Sequence, residues 1–430
     1  MHLKNKYFYG YNIVAAGFVI QAAYVGAMFT FGVFFKEFQA EFGWSRGAIS
    51  GASSLAFLIM GITGILVGRL NDRIGPKVII MVGGLSAGLG FLLMSRIQAP
   101  WQLYLLYGIM VGVGLSTHDV ITLSTVARWF TKTRGMMTGI VKVGTGTGQL
   151  IAPLATSALI ATYGWRKSTL LIGVVLVVTV VSAAQALRRD PQGMGLLPDG
   201  AKHQASDAAP PCEEHGLSLG TAARKGAFWT LSLAEFTIFF CIGTVFVHIV
   251  PHAMDLGLGP VAAAGILSTI GGVSVLGRMV LGAAYDKVGG KHSLSLCFIV
   301  LIVALLWLQM ATNAWMLFFF AAVYGFAHGG FLTVMSPTVA ELFGTGSHGL
   351  LFGIVLFSGT LGGAFGPIIA GTTFDRTGSY SMVFIGLTAL ALAGFVVTIL
   401  LRRPGRETSA GSLMTSPKSM TPCDNPHKPS

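Results

Sequence analysis

An arginine, Arg278, lies inside the apolar stretch Gly271–Lys291, whose sequence is GGVSVLGRMVLGAAYDKVGGK. A guanidinium presents N–H donors in a planar fork that matches a carboxylate bidentately, so this residue in apolar surroundings predicts an anion site. Arg278 precedes Asp286 by eight residues, which is about 12 Å along a helix. If Asp286 marks the end of a membrane span, that depth prevents the side chain from reaching the interface easily. The alternative is a structural ion pair.

Other titratable groups lie in apolar stretches. Lys142 is a second cation in an apolar stretch. It has two interpretations: a role in transport or gating, or a structural ion pair with Asp119 or Glu235. His118 and Asp119 belong to an unusually polar stretch, and we expect these two or Glu235 to carry a proton, because histidine and desolvated carboxylates titrate near neutral pH. Hydrogen bonds to neighbouring helices are the alternative for each.

The composition is that of a membrane protein. Of the 430 residues, 53% are hydrophobic and only 10% are charged, and the mean hydropathy is +0.72; soluble domains carry about 25% charged residues. We predict an all-α polytopic membrane protein with twelve transmembrane helices. The net charge of +12 concentrates in alternate loops and in the terminal segments, which predicts cytoplasmic termini and argues against nucleic-acid binding.

The chain divides into two halves with a polar segment between them. We predict a six-helix bundle at 1–189, a cytoplasmic linker at 190–225, a second six-helix bundle at 226–402 and a disordered cytoplasmic tail at 403–430. A shift of 214 positions takes GRLNDRIGPK, from Gly68 to Lys77, onto GAAYDKVGGK, from Gly282 to Lys291. The shift aligns loops and spans together, so the bundles are predicted to be pseudo-symmetric repeats with substrate held between them.

These duplicated loop motifs resemble those of the major facilitator superfamily over residues 9–401. The resemblance implies that spans one, four, seven and ten line a central cavity and that spans five and eight meet there. The substrate-site residues expected on this basis are Tyr24, His118, Lys142, His248, Arg278, Tyr324 and His328. It also implies a cytoplasmic gate in which each motif aspartate meets the N-terminus of a helix of the opposite half. The gate residues expected are Asp72, Arg73, Arg134, Asp286 and Lys287.

A narrower resemblance lies around the fifth span. The pattern ARWFTKTRGMMTGIVKVGTGTGQLIAP at 127–153 is similar to a signature of the monocarboxylate porters and their oxalate–formate exchanger relatives. Arg278, followed by Gly282, falls where those porters carry a substrate-binding arginine. The acidic residue usual in animal porters one turn before that arginine is replaced here by Ser274.

Together these features predict a secondary active transporter of small monocarboxylates similar to lactate or pyruvate, with proton-coupled symport by alternating access. The alternatives are a carboxylate exchanger of the oxalate–formate type, a drug or metabolite efflux carrier, and a sensor that keeps the carrier fold. We expect no enzymatic activity, no cofactor and no metal, because the sequence has no metal triad or nucleophile motif. The expected partners are the carboxylate, protons and the lipid of the cytoplasmic (inner) membrane, with the monomer as the functional unit.

Overall fold

The computed structural model describes residues 8–44, 46–201 and 216–401. Every regular element in these residues is helical. The predicted tail at 403–430 and the middle of the predicted linker, 202–215, lie outside the described residues. The membrane-spanning helices, labelled in chain order, are α1 (Gly10–Phe42), α2 (Arg46–Ile74), α3 (Pro76–Met94), α4 (Pro100–Trp129), α5 and α6 (together Arg134–Ala184), α7 (Gly226–Asp255), α8 (Pro260–Val288), α9 (Gly290–Met310), α10 (Ala314–Phe343), α11 (His348–Thr377) and α12 (Ser381–Ile399).

Eleven continuous helices in the described residues are long and apolar enough to cross a membrane. One of them, Arg134–Ala184, has 51 residues; that is about 77 Å at the helical rise, more than twice a hydrocarbon core of about 30 Å. It breaks at Gly164, whose φ of 76° lies in the left-handed region that favours glycine. The break divides it into α5 (134–163) and α6 (165–184), so the described residues contain the twelve predicted spans.

The internal repeat is visible in the backbone. Gly75 and Gly289, separated by 214 positions, both have positive φ, at 92° and 79°. Gly164 and Gly378, with the same separation, have φ of 76° and 66°. Because side chains disfavour this conformation, the glycine pairs mark equivalent turns in the two halves.

Two helix pairs make the most extensive contacts between the halves: α2 packs against α11, and α5 packs against α8. Both contacts are tight because glycines face each other. A Cβ on Gly349 would lie 2.6 Å from the carbonyl oxygen of Gly68, and a Cβ on Gly282 would lie 2.6 Å from that of Gly135. Small residues permit this close approach of helix backbones, and they bring the ends of α2 and α8 against the first turns of α11 and α5.

Candidate substrate and coupling site

Two aspartates join the halves at the end of the molecule that carries the loop motifs, which we call the motif face. Asp72, at the end of α2, accepts hydrogen bonds from the backbone N–H groups of Gly349 (3.1 Å) and Leu350 (3.0 Å). Asp286, at the end of α8, accepts from Gly135 (2.6 Å) and Met136 (2.9 Å). The four N–H groups belong to the first turns of α11 and α5, where unpaired donors and the helix dipole favour a carboxylate.

The two contacts, which we call the latches, are related by the 214-residue repeat, since 135 and 136 correspond to 349 and 350. One latch also contains Arg128, which the sequence analysis did not select. Arg128 Nη2 lies 2.5 Å from Asp72 Oδ1, and its Nε donates to the carbonyl of Thr345 in the other half (3.3 Å). A basic residue at the end of a span is typical of a topology signal, and only the packing reveals its ion pair.

The other predicted gate cations lie beside the latches without joining them. Arg73 and Lys287 are exposed, and neither has an ion pair or a hydrogen bond among the described residues. Arg134 is half-buried and donates from Nε to the carbonyl of Phe130 (2.9 Å). Their predicted gating roles remain predictions.

The first part of the predicted linker packs against the loop between α4 and α5. Asp199 accepts hydrogen bonds from the backbone N–H groups of Thr131 and Lys132 (both 2.9 Å) and from the hydroxyls of Thr131 (2.5 Å) and Thr133 (3.2 Å). Partial burial favours the protonated carboxyl, but these donors outweigh it and hold the pKa of Asp199 below its usual 3.8. The ionised side chain therefore anchors the linker beside the Asp286 latch.

A buried ion pair lies deep between α4 and α5. Lys142 Nζ is 2.6 Å from Asp119 Oδ1, and both side chains are largely inaccessible. His118 Nε2 lies 3.7 Å from Asp119 Oδ2, while its Nδ1 contacts the carbonyl oxygen of Leu115 (2.5 Å). The structure thus places three of the sequence-predicted residues in one group.

Gln21 on α1 completes this group, although the sequence analysis did not select it. Its Nε2 donates to Asp119 Oδ1 (2.8 Å) and to Thr122 Oγ1 (2.9 Å), and its Oε1 accepts from Thr145 Oγ1 (2.9 Å). One amide therefore bonds to both α4 and α5. The available signal was a glutamine in the middle of an otherwise apolar stretch of the first span.

Arg278 on α8 faces the same part of α5. A Cβ built on Gly146, one turn after Lys142, would lie 2.6 Å from Arg278 Nη1, so the absence of a side chain at Gly146 makes room for the guanidinium. Arg278 is 1% exposed, and its Nε and Nη1 have no hydrogen-bond partner in the described part of the chain. A buried charge without partners is strongly unfavourable, so the geometry leaves this cation in need of an anion.

Glu235 on α7 is the second carboxylate of the interior. It is 4% exposed, packs against Gly359 of α11, and has no ion pair or hydrogen bond within the described ranges. The charges of Lys142 and Asp119 act on it across the interior. Ser274, one turn before Arg278, donates to the carbonyl of Gly271 in its own helix (2.6 Å) and leaves Arg278 without a carboxylate neighbour there.

Two neighbouring residues of α10, Tyr324 and His328, are among those of the second half whose buried polar atoms have no partner in the described residues. Among the described residues, Tyr324 Oη and His328 Nδ1 are buried without a hydrogen-bond partner, and both side chains line a small cavity that also includes Cys241. The charges of Arg278 and Lys142 act on His328. This histidine therefore belongs to the same electrostatic environment as the buried cations.

The structure does not bring His248 into this group, whereas the ring of Tyr24 lies beside His118, with ring centroids 6.0 Å apart. His248 ties α7 to α11 and α12, with its Nε2 3.0 Å from the carbonyl oxygen of Pro367 and its Nδ1 3.1 Å from Tyr380 Oη. The hydroxyl of Tyr24 accepts from Thr117 Oγ1 (3.1 Å). In the described ranges, no group of three or more His, Cys, Asp or Glu residues is placed to hold a metal.

The fold has twelve spans in two halves, and the described residues leave a buried cation between the halves unpaired, an arrangement typical of membrane carriers. The family model of the Major Facilitator Superfamily matches residues 17–308 and 265–422. The chain belongs to the Major Facilitator Superfamily, and it is an integral membrane transporter rather than an enzyme.

The similar proteins include several monocarboxylate transporters. Monocarboxylate transporter 13 of Rattus norvegicus is 29% identical over 395 residues, covering 91% of this chain and 89% of the relative. Monocarboxylate transporter 11 of Homo sapiens is 27% identical over 411 residues, covering 92% and 83%. The predicted resemblance to the monocarboxylate porter branch is confirmed.

Solved structures of other transporters share the fold. The proton:xylose symporter XylE bound to 6-bromo-6-deoxy-D-glucose superimposes with a TM-score of 0.72 at 12% identity, covering 90% of this chain and 94% of that one. The human organic anion transporter MFSD10 (TETRAN) gives 0.67 at 13% identity, covering 90% and 99%. These similarities establish the architecture.

Proposed function

We propose that the protein is a secondary active transporter that carries small monocarboxylates, such as lactate or pyruvate, together with protons. The observation that carries the proposal is Arg278, buried at 1% exposure with Nε and Nη1 unpaired among the described residues. A substrate carboxylate supplies the missing acceptors in the bidentate geometry that a guanidinium prefers. The names of the monocarboxylate transporter relatives support the same substrate class.

The charges around Arg278 favour an anion with a single carboxylate. Lys142 is already neutralised by Asp119 at 2.6 Å, so Arg278 is the cation left for the substrate. While Asp119 is ionised and holds Lys142, a second substrate carboxylate has no free cation in the described interior and meets the buried side chain of Glu235 instead. Because an uncompensated buried charge is costly, a monocarboxylate is the better ligand.

Proton coupling follows from the carboxylates of the same interior. Asp119, with His118 beside it, and Glu235 are the groups that accept a proton in this proposal. Protonation of Asp119 removes the charge that holds Lys142 and makes that cation available to the substrate. Protonation of Glu235 removes the unpaired negative charge from the path of an anion.

Alternating access requires the latches to break and re-form. In this structure the motif face is closed by the hydrogen bonds of Asp72 to the first turn of α11 and of Asp286 to the first turn of α5. Lysines and arginines are concentrated at this face, so we assign it to the cytoplasm, with both termini inside and the protein in the cytoplasmic membrane. The structure then corresponds to the state that is closed toward the cytoplasm.

The test is uptake of labelled lactate and pyruvate into proteoliposomes with an inward proton gradient. Arg278→Gln removes the charge and the fork, and we expect uptake at least about 30-fold lower, as for loss of one partner of a buried charge pair. Arg376→Gln, at an exposed position near the end of α11, is the matched control and should transport normally. Uptake by Arg278→Gln at the level of this control would contradict the proposal.

Exchange of carboxylates is the second candidate, because Arg278 serves an anion in either mode. The same vesicles separate the two modes. Symport stops when the proton gradient is dissipated, whereas exchange continues if the vesicles contain a counter-anion. The unpaired Glu235 also suits a cationic drug; uptake or efflux of an organic cation that requires Glu235 and ignores Arg278 would support that function instead.

A further inference from the structure

Gln21 is buried completely, at 0% exposure, and its amide is held on both sides. On the α4 side, Nε2 lies within 2.8 Å of Asp119 Oδ1 and 2.9 Å of Thr122 Oγ1. On the α5 side, Oε1 accepts from the hydroxyl of Thr145 at 2.9 Å. Gln21 and Lys142 both donate to the same carboxylate oxygen, since Lys142 Nζ lies 2.6 Å from Asp119 Oδ1.

The ionised state of Asp119 determines which way the amide points. An ionised carboxylate only accepts hydrogen bonds, and the nearby carbonyl of His118, 3.4 Å from Gln21 Nε2, also only accepts. An amide turned the other way places Oε1 against both acceptors, which is repulsive. With Asp119 ionised and bonded to Lys142, the donor end of Gln21 must therefore face α4.

Protonation of Asp119 turns the nearer of these two acceptors into a donor, while the more distant carbonyl of His118, 3.4 Å from Gln21 Nε2, continues to accept. The acid then carries an O–H that needs an acceptor, and the Oε1 of a turned amide lies on the same side. The two hydroxyls that bond to the amide can follow: Thr145, which now donates to Oε1, would accept from the turned amide, and the hydroxyl of Thr122, which now donates to the carbonyl of His118 (2.5 Å), would turn to donate to Oε1. Turning the amide therefore satisfies the protonated acid without moving a helix.

We propose that Gln21 is the positioning residue for proton coupling, and that its side-chain amide turns over when Asp119 gains or loses a proton. This inference rests on the proposed proton-coupled transport. The donor end of the amide stabilises the ionised carboxylate with Lys142 attached, and the acceptor end stabilises the acid once Lys142 has left. Lys142 is then free to join Arg278 at the substrate carboxylate.

A hydrophobic side chain of similar size would join α1, α4 and α5 equally well, so packing alone does not require glutamine. A glutamate in its ionised form offers no donor to Asp119 and adds a like charge beside it. Only a group with a donor and an acceptor serves both protonation states. The titratable and charged groups that face Asp119 or its charged neighbours are Tyr24 on α1, His118 on α4, Lys142 on α5, Glu235 on α7, Arg278 on α8 and His328 on α10.

The experiment compares the pH dependence of lactate uptake in proteoliposomes of the full-length protein. Gln21→Leu removes both the donor to ionised Asp119 and the acceptor for its acid form, and because the hydrogen bond to the charged form is the stronger one, the pH of half-maximal uptake should rise by about one unit. Proton-driven accumulation should fall about tenfold or more. Gln21→Glu, which has the same shape, should also move the profile to higher pH, because two adjacent carboxylates share and retain a proton. Thr30→Val is the control: Thr30 is equally buried on α1 but bonds only within its own helix, to Ala27.

The outcomes separate this inference from the proposed function. If the wild-type protein neither takes up lactate nor is stabilised by it against heat, the proposed function itself fails. If the wild type transports lactate with protons and both Gln21 variants keep its pH profile, the role of Gln21 is refuted while the function stands. Should Gln21→Leu not fold, Gln21→Glu decides alone. A direct readout is the infrared amide signal of isotope-labelled glutamine, which should change on acidification in the wild type and remain constant in Asp119→Asn.

Discussion

The latches at the motif face lead to the sharpest prediction, which concerns Asp286→Asn. Asp286 accepts two backbone hydrogen bonds, from Gly135 at 2.6 Å and Met136 at 2.9 Å, and these bonds cross from one half of the molecule to the other. Asparagine has nearly the same shape but only one acceptor oxygen and no charge. The substitution therefore weakens the contact between the halves and leaves each half intact.

The size of the effect follows from these two bonds. One of the two N–H groups loses its charged acceptor and the other keeps a neutral one, and a hydrogen bond to a charged group contributes about 1.5–3 kcal/mol. The interaction with the N-terminal dipole of α5 is also lost, a further 0.3–1 kcal/mol or so. When the halves separate, water replaces part of the lost hydrogen bond and part of the dipole interaction. We therefore expect the free energy of opening at the motif face to fall by about 2 kcal/mol, which is about 30-fold in the ratio of closed to open states.

The assay is a distance distribution between spin labels at Arg73 and Lys287, which are exposed on opposite halves of the motif face. The wild-type protein should give mainly the short, closed distance. Asp286→Asn should give a large second population at a longer distance. Asp190→Asn is the matched control, because Asp190 also bonds to a backbone N–H group, that of Gly193, but both residues belong to the linker and the bond does not connect the halves.

A distance distribution for Asp286→Asn that matches the wild type and the Asp190→Asn control would refute the reasoning. Such a result would mean that hydrogen bonds to water in the open state fully replace those of the latch, so that the latch does not stabilise the closed state. A loss of the closed population in Asp190→Asn as well would show that the effect is not specific to contacts between the halves.

Two further predictions concern the substrate site and the linker. Gly146→Ala places a Cβ 2.6 Å from Arg278 Nη1, and displacement of the guanidinium should lower the rate of lactate uptake about tenfold or more. Gly271→Ala, at a position with open space around it, is the control and should have no effect. Equal uptake by the two variants would contradict the placement of Arg278. Asp199 has a depressed pKa, so its ionised form stabilises the fold above the unfolded value of 3.8, and this contribution is lost as the pH falls below that value. Asp199→Asn should therefore lower the melting temperature at neutral pH, with a difference from the wild type that shrinks toward zero in acid; a constant difference across pH would contradict the assignment.

Much of the architecture follows from local sequence patterns. Apolar stretches of span length and the 214-residue repeat predict the helices and the two halves, because hydrophobicity and glycine turns act over short distances. The same repeat pairs Asp72 with Asp286, and the structure gives these two aspartates equivalent helix-terminal partners. Arg278 stands out in the sequence because a cation in an apolar span is rare at any position.

What the sequence determined by itself is therefore the set of helices, their order, and the few polar residues that the membrane makes conspicuous. Only the tertiary structure decided which of these residues meet. Gln21 joins Asp119 and Lys142, and Arg128 joins Asp72, while Arg73 and Lys287 remain exposed. The physical reason is that hydrophobicity reports the burial of each residue separately, whereas a hydrogen bond or ion pair requires a particular rotation and approach of two helices. Glycines such as Gly146 set that approach, and their effect appears only once the helices are packed.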